Sequence, residues 1–401
     1  MRGDWCFVGH LPGKHRNPMT GKDEPNGTSI LNIADPARPE LVAHIPPEQD
    51  DDTCRAVQFA RRDGRDYIVR VSEHEGAKSA TGRKALEIFD VTDRAKPAFV
   101  SAITETPNGP LTWAHKGWWD AASGLYFVSV GEQGFRMGGH LCVWDLSTPS
   151  QPHFVARHWL AGQRESEPSV GERAPTMHHP IVDMKNKRAY LGYPRGGDLE
   201  VLDISDVAKP KRILHYSIAP TFNKGPHTLL PFMRVKVPDF APGKGDTRDF
   251  ILFCNEANNA KPSSVEVRTM LYVLDVTAWE HPMPVQTWRL ADDPYASAGG
   301  RFGSHQFAET RDGELYDIAR NDDLLFFAYF NAGMRVVDVR DPFRPREVGH
   351  YVPPVTDKTL DTYGHRVIQT NDVDIDRRGL AYLSDRAGTG LHVVEFDRSA
   401  V

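Results

Sequence analysis

The sequence predicts an all-β fold: a seven-bladed β-propeller of four-stranded blades over residues 1–401, a single domain with its first and last blades incomplete. Three observations predict it. Glycine (33) and proline (30) are plentiful, and long runs at the 3.6-residue period of helices are absent, which favours short strands joined by turns. One phrase recurs seven times along the chain. Runs that alternate apolar and polar residues at strand period surround each copy.

The copies are TSILNIADPARP from Thr28, LEIFDVTDRAKP from Leu86, LCVWDLSTPSQP from Leu141, LEVLDISDVAKP from Leu199, LYVLDVTAWEHP from Leu271, MRVVDVRDPFRP from Met334 and LHVVEFDRSAV from Leu391. They start 55 to 72 residues apart, and six end on proline at the twelfth position. The fifth position is aspartate in five, Asn32 in the first and Glu395 in the last. Each copy reads as a strand that breaks at a polar turn, where the aspartate accepts backbone N–H groups. Around Leu199, for example, HHPIVDM and RAYLGYP precede the phrase and KRILHYSI follows it. Four strands per repeat and seven repeats describe a propeller, whose blades are each too small to bury a face alone. The first blade opens at DWCFVGH, which matches a second strand, and the last ends at LHVVEFD, a third strand. The expectation is therefore a chain that starts about two strands late for its first blade.

The composition excludes several classes. With 40% hydrophobic and 25% charged residues the profile is that of a globular protein. The net charge of -6 provides no basic field for nucleic acid or an anionic membrane. No apolar run of 18 residues is present, so no membrane partner is expected. The opening MRGDWCFVGH has no apolar signal core, which reads as cytoplasmic. Cys6, Cys54, Cys142 and Cys254 lie far apart, with no CxxC, so neither a disulfide framework nor a thiolate zinc site is expected. GxGxxG, GxSxG and Walker sequences are absent.

The phrase resembles the LVIVD-repeat family of β-propeller proteins, and the likeness runs along nearly the whole chain. It implies the fold and no single chemistry. A propeller with histidines on its inner strands is also similar in architecture to carotenoid-cleavage oxygenases, selenium-binding-type thiol oxidases and oligogalacturonate lyases. None of their diagnostic sequences is present.

The strongest functional signal is the start of each innermost strand. WAHKGWWD holds His115, MHHPIVD holds His178 and His179, GPHTLLPF holds His227 and GSHQFAET holds His305. YGHRVIQTNDVDID holds His365, with Asn371 or Asp372 as the alternative at that register, and DTCRAVQF has Cys54 instead. With only 17 histidines in 401 residues, four consecutive blades at one register point to a shared site. Antiparallel pairing puts the end of the second strand on the same face. Those ends carry Glu73, Glu132 and Glu256, then Arg195, Asn331, Asp385 and Arg386. The expected metal ligands are His115, His179, His227, His305 and His365, around a divalent transition metal: Fe, Mn, Cu or Zn. His179 is preferred to His178 because neighbouring strand residues face opposite ways. Glu73, Glu132, Glu256 and Arg195 are the expected catalytic groups. The other histidines, His10 and His140 among them, read as structural. Trp113 and Phe302 read as interblade packing that could also line a pocket.

The insertions 13–27 and 232–249 are long and rich in glycine and proline; the second reads as a surface or oligomer contact, and the loops 255–270 and 289–305 as approaches to the histidine face, the former as a lid. These features predict a metal-dependent enzyme acting on a small organic molecule. Oxidoreductase or oxygenase chemistry is preferred by architectural analogy, with a lyase, hydrolase or isomerase as the alternative. A noncatalytic propeller that binds a protein partner is the reading of a different class. It needs no converging histidines.

Overall fold

A computed structural model describes residues 1–74, 84–136, 138–170, 174–219, 224–237, 247–257, 269–291, 294–361 and 364–400. The tip of the 232–249 insertion and most of the expected lid 255–270 lie outside the described residues, as do 292 and 293 of the 289–305 loop.

In the first six copies the recurring phrase folds the same way. Its first half is a strand, and its fifth residue caps the turn that follows. Asn32 accepts from the amide of Ala34 at 3.0 Å, Asp90 from Thr92 at 2.8 Å, Asp145 from Ser147 at 2.7 Å, Asp203 from Ser205 at 2.8 Å, Asp275 from Thr277 at 2.9 Å and Asp338 from Arg340 at 2.9 Å. Three residues on, a second turn closes with bonds such as Lys96 N to Asp93 O and Lys209 N to Asp206 O, both 3.0 Å. These are side-chain-supported turns that a short carboxylate or amide favours. They return the chain into the next antiparallel strand.

Among the described residues, helix is confined to two 3₁₀ turns, Ala319–Asn321 and Arg398–Ala400. The strands form consecutive antiparallel sheets. The first has three strands, Trp5–Gly9, Thr28–Asn32 and Glu40–Ile45. The second comprises Asp52–Arg62, Arg65–His74, Lys84–Asp90 and Ala98–Ile103, and the third Trp113–Trp119, Leu125–Gly131, His140–Asp145 and His153–His158. The fourth comprises Pro180–Asp183, Arg188–Tyr193, Asp198–Asp203 and Lys211–Ser217. The fifth comprises Pro226–Lys236, Thr247–Asn255, Leu271–Asp275 and Met283–Trp288. The sixth, Phe302–Phe307, Leu324–Phe330, Met334–Asp338 and Arg346–Tyr351, joins the last three strands, Thr370–Ile375, Ala381–Asp385 and Gly390–Val394, through the pair Phe330↔Thr370. Among the described residues the first sheet has three strands, and Thr370–Ile375, Ala381–Asp385 and Gly390–Val394 form the last run of three.

The chain divides into two compact units: Met1–Ala189 with Asp203–Lys211, and Tyr190–Leu202 with Arg212–Val401. In the first, Val69, Val71, Leu86 and Ile88 pack with Tyr126, Val128, Val130 and Trp144, while Ile30, Ala43 and Ile45 pack with Ile68 and Val91. Each such side chain contributes about 1.5–3 kcal/mol by leaving water. Arg70 is buried in this unit and fully engaged. It donates to Glu87 Oε2 at 2.9 Å, to Thr28 Oγ1 at 3.2 Å and to the carbonyls of Ile45 at 3.0 Å and Pro46 at 2.8 Å. In the second unit aromatic rings fill the core, with Phe253 stacked on Tyr272 and Phe307 against Phe327, both pairs at 4.7 Å.

Candidate functional site

Every four-stranded sheet with a described register, and the last sheet, has a β-bulge in its innermost strand. The pairing shifts between Arg55 and Gln58, Ala114 and Gly117, Pro226 and Thr228, Phe302 and Gln306, and Thr370 and Asp372. A bulge places an extra residue opposite one partner and re-aims its side chain. The bulged positions hold His115, His227, His305 and Asn371. His115, His227 and His305 of the sequence signal are therefore residues that the ladder releases. At the sixth sheet the device depends on glycine. Gly303 has φ +136°, and a Cβ there would lie 2.2 Å from Thr269 Oγ1 and 2.9 Å from Ala257 Cβ.

In the second unit three expected residues come together. Pro226 pairs with Asn255, so His227 at the start of one strand lies beside Glu256 at the end of the next. His227 Nε2 is 3.9 Å from Glu256 Oε2, and His305 Nε2 is 3.9 Å from Glu256 Oε1. The imidazole centroids are 4.9 Å apart. Each ring is held from behind: His227 Nδ1 contacts Thr228 Oγ1 at 3.0 Å, and His305 Nδ1 bonds the carbonyl of Asn371. Burial lowers the His305 pKa to about 4; the charge of Glu256 works in the opposite direction, and Arg386 and Arg301 add to the lowering. The ring is neutral at pH 7. Arg301 donates to Glu256 Oε1 at 3.0 Å. Lys224 is also near: burial lowers its pKa, Glu256 opposes that, and the charges of Arg195 and Arg301 reinforce it.

In the first unit the imidazoles form a chain. His115 Nε2 lies 2.7 Å from His178 Nε2, and His178 Nδ1 contacts His179 Nδ1. Trp113 flanks His115, with ring centroids 5.2 Å apart. His178, expected to face away, is the central member. It presents a different nitrogen to each neighbour, an arrangement suited to passing a proton along the rings. His179 is buried and precedes the strand Pro180–Asp183.

The other expected residues serve elsewhere. His365 lies five residues ahead of the strand Thr370–Ile375, with its ring against Gly299. Asn371, the alternative at that register, contributes its backbone carbonyl and not its side chain. Glu73 is buried in ion pairs with Arg55 at 3.3 Å and Lys84 at 3.8 Å. Arg195 is exposed. Asn331 donates to the carbonyls of Tyr295 and Gly299, and Asp385 caps Gln369 and Ala387. Glu132 takes an imidazole, but it is His140 and not His115.

That last contact joins Glu132, an expected catalytic group, to His140, which reads from sequence as structural, and to Cys142, for which no metal role was expected. Glu132, His140 and Cys142 are the one group of three potential ligands, among the described residues, whose donor atoms all lie within 4.8 Å of one another. Glu132 Oε1 is 3.1 Å from His140 Nε2, and Cys142 Sγ is 3.5 Å from the same nitrogen. The signal was available in HLCV, where residues two apart in a strand share a face.

The comparisons with known proteins bear on the fold. Residues 312–352 match the family model of the LVIVD repeat. No curated protein matches the sequence. Among solved structures, a hypothetical selenium-binding protein from Sulfolobus tokodaii is similar at 12% identity and TM-score 0.60, over 95% of this chain and 82% of that one. The periplasmic gluconolactonase of Pseudomonas aeruginosa is similar at 12% identity and TM-score 0.52, over 97% and 96%. The β-propeller domain of Cps50 (Swd1) from Myceliophteria thermophila is similar at 9% identity and TM-score 0.51, over 98% and 100%. The fold is that of the β-propellers, and the chain carries an LVIVD repeat. No helix among the described residues is long and apolar enough to cross a membrane.

Proposed function

We propose that the chain is a metal-dependent enzyme acting on a small anionic organic molecule, with a divalent transition metal, Fe, Mn, Cu or Zn, held by His227, His305 and Glu256. One observation carries this reading. Two buried imidazoles direct Nε2 at opposite oxygens of one carboxylate, each across 3.9 Å. Two nitrogens and a carboxylate are the donor set such ions prefer. Ligand atoms about 2.0–2.2 Å from an ion stand about 3.0–3.5 Å apart, so an ion would draw both imidazoles in towards one oxygen of Glu256, from the 3.9 Å at which each faces its own oxygen. The Asn371 carbonyl behind His305 is the kind of outer partner that fixes a ligand ring. When bound, the ion supplies Lewis acidity.

The chain's own residues supply the rest. Arg301 holds the Glu256 carboxylate and, with Lys224, puts positive charge beside it, which favours a substrate carboxylate or phosphate. The phrase-bearing sheets are read as seven blades of one domain, a reading supported by the repeat of the phrase and by propeller chains similar over nearly the whole length.

The test is elemental analysis of tag-free wild-type chain beside His227→Ala and His305→Ala. The wild type should retain metal and each variant should lose about one equivalent while remaining folded. Equal metal content in all three overturns the reading.

A further inference from the structure

The third sheet holds a trio with a bonding conflict. His140 Nε2 faces both Glu132 Oε1, at 3.1 Å, and Cys142 Sγ, at 3.5 Å. One ring nitrogen carries either a proton or a lone pair. Protonated, it serves the carboxylate and leaves the thiol hydrogen without its acceptor. Unprotonated, it accepts from the thiol and sets a lone pair against the carboxylate. All three residues are buried, at 1%, 1% and 0% exposure. His140 Nδ1 has no hydrogen-bond partner, and Phe135 stacks on the ring at 4.0 Å. Burial lowers the His140 pKa against the pull of Glu132, so the ring is neutral.

The spacing matches a known solution. A tetrahedral zinc ion has nitrogen and oxygen ligands at about 2.0–2.1 Å and thiolate at about 2.3 Å, which puts N and S about 3.5 Å apart and N and O about 3.3 Å apart. We infer that Glu132, His140 and Cys142 form a buried, structural binding site for a zinc-class divalent cation, separate from the His227–His305–Glu256 group. The charges balance. The ion takes the lone pair of a neutral imidazole, a carboxylate and a thiolate, and the thiol proton leaves to solvent. Arg157 is ion-paired with Glu132, its Nε 3.0 Å from Oε1, and Thr106 bonds Oε2. The cation ties the end of the strand Leu125–Gly131 to the start of His140–Asp145.

The thiolate gives the site its own readout. Metal-free chain titrated with Co²⁺ should develop a near-ultraviolet sulfur-to-cobalt band that saturates at one equivalent, with release of about one proton. Cys142→Ser and His140→Ala should lose the band, and His227→Ala should keep it, because the other group contains no sulfur. X-ray absorption of the zinc-loaded wild type should show one sulfur neighbour, a measurement that needs no variant to fold. No thiolate band, a band that survives Cys142→Ser, or a zinc shell without sulfur overturns the inference. The thiolate band, its loss in Cys142→Ser and the presence of sulfur in the zinc shell do not depend on whether His227 and His305 bind metal.

Discussion

His305 donates its Nδ1 proton to the backbone carbonyl of Asn371. A carbonyl only accepts, so the tautomer follows, and Nε2 of the neutral ring carries the lone pair that faces Glu256. The partner is backbone at the bulge of the adjoining inner strand, so the ring's direction is set by the ladder irregularity of two strands at once.

Gly303→Ala is therefore expected to act on His305 from two residues away. The added Cβ meets Thr269 and Ala257, and the bulge must shift. Metal affinity should drop roughly 10–100-fold, as for loss of an outer partner, with a lowered melting temperature. Equilibrium dialysis and calorimetry on the same sample check both.

Glu256→Gln keeps the shape and removes the charge. Metal affinity should fall at least as far as in Gly303→Ala, while the melting temperature moves little, since the group is at a strand end and not in the core. Dialysis against a competing chelator reads the first effect and thermal unfolding the second.

Arg70→Ala should be the costly substitution of the first unit. It removes the arginine partner of buried Glu87 and the donor that reaches two carbonyls and a hydroxyl. The expected loss is about 3–5 kcal/mol. Glu87→Gln, which keeps an acceptor, should cost less. Urea unfolding of both variants ranks them.

Asp145→Ala removes the acceptor of the Ser147 amide in the third copy of the phrase. One turn bond is worth about 1 kcal/mol, and metal content should not change. A much larger loss in chemical denaturation would mean the turn aspartates do more than cap.

Stability should also fall with acid in a defined window. Burial, then the charges of His44 and His15, lower the His10 pKa from 6.5 to about 4. The unfolded chain binds this proton more readily than the folded one. The penalty is therefore absent above about pH 6.5, grows as pH falls and is complete near pH 4. His305, shifted to about 4 by burial, adds to the same decline. Melting temperature followed from pH 7 to 4.5 should fall less steeply in His10→Gln than in the wild type.

The turn and the inner-strand register were legible in the sequence because both are local. An aspartate caps an amide two residues on, so its recurrence marks the turn without knowledge of any partner strand. The pairing of His227 with Glu256 was legible too, because it follows from antiparallel order alone. The bulges were not. A bulge is two residues set against one, and only the partner strand shows the count. That is why His365 was preferred to Asn371; His178 was expected to face away because strand alternation was applied to it, whereas His178 and His179 lie ahead of the strand Pro180–Asp183. The Glu132–His140–Cys142 trio was missed for another reason. Each histidine was weighed by its strand position, whereas this one is defined by side chains from a strand end, the phrase itself and, through Arg157, the strand after it.

The capped turn has a consequence for the order in which the chain acquires structure. Its bonds span two or three residues, so the reversal after each phrase closes almost no loop and can form in isolation, ahead of contacts between sheets. Six capped reversals, each specified within a dozen residues, give the chain several independent starting points from which strand pairing can spread. A lesion in one copy should leave the others competent to nucleate, so damage to any single turn is expected to slow assembly far less than its effect on final stability would suggest.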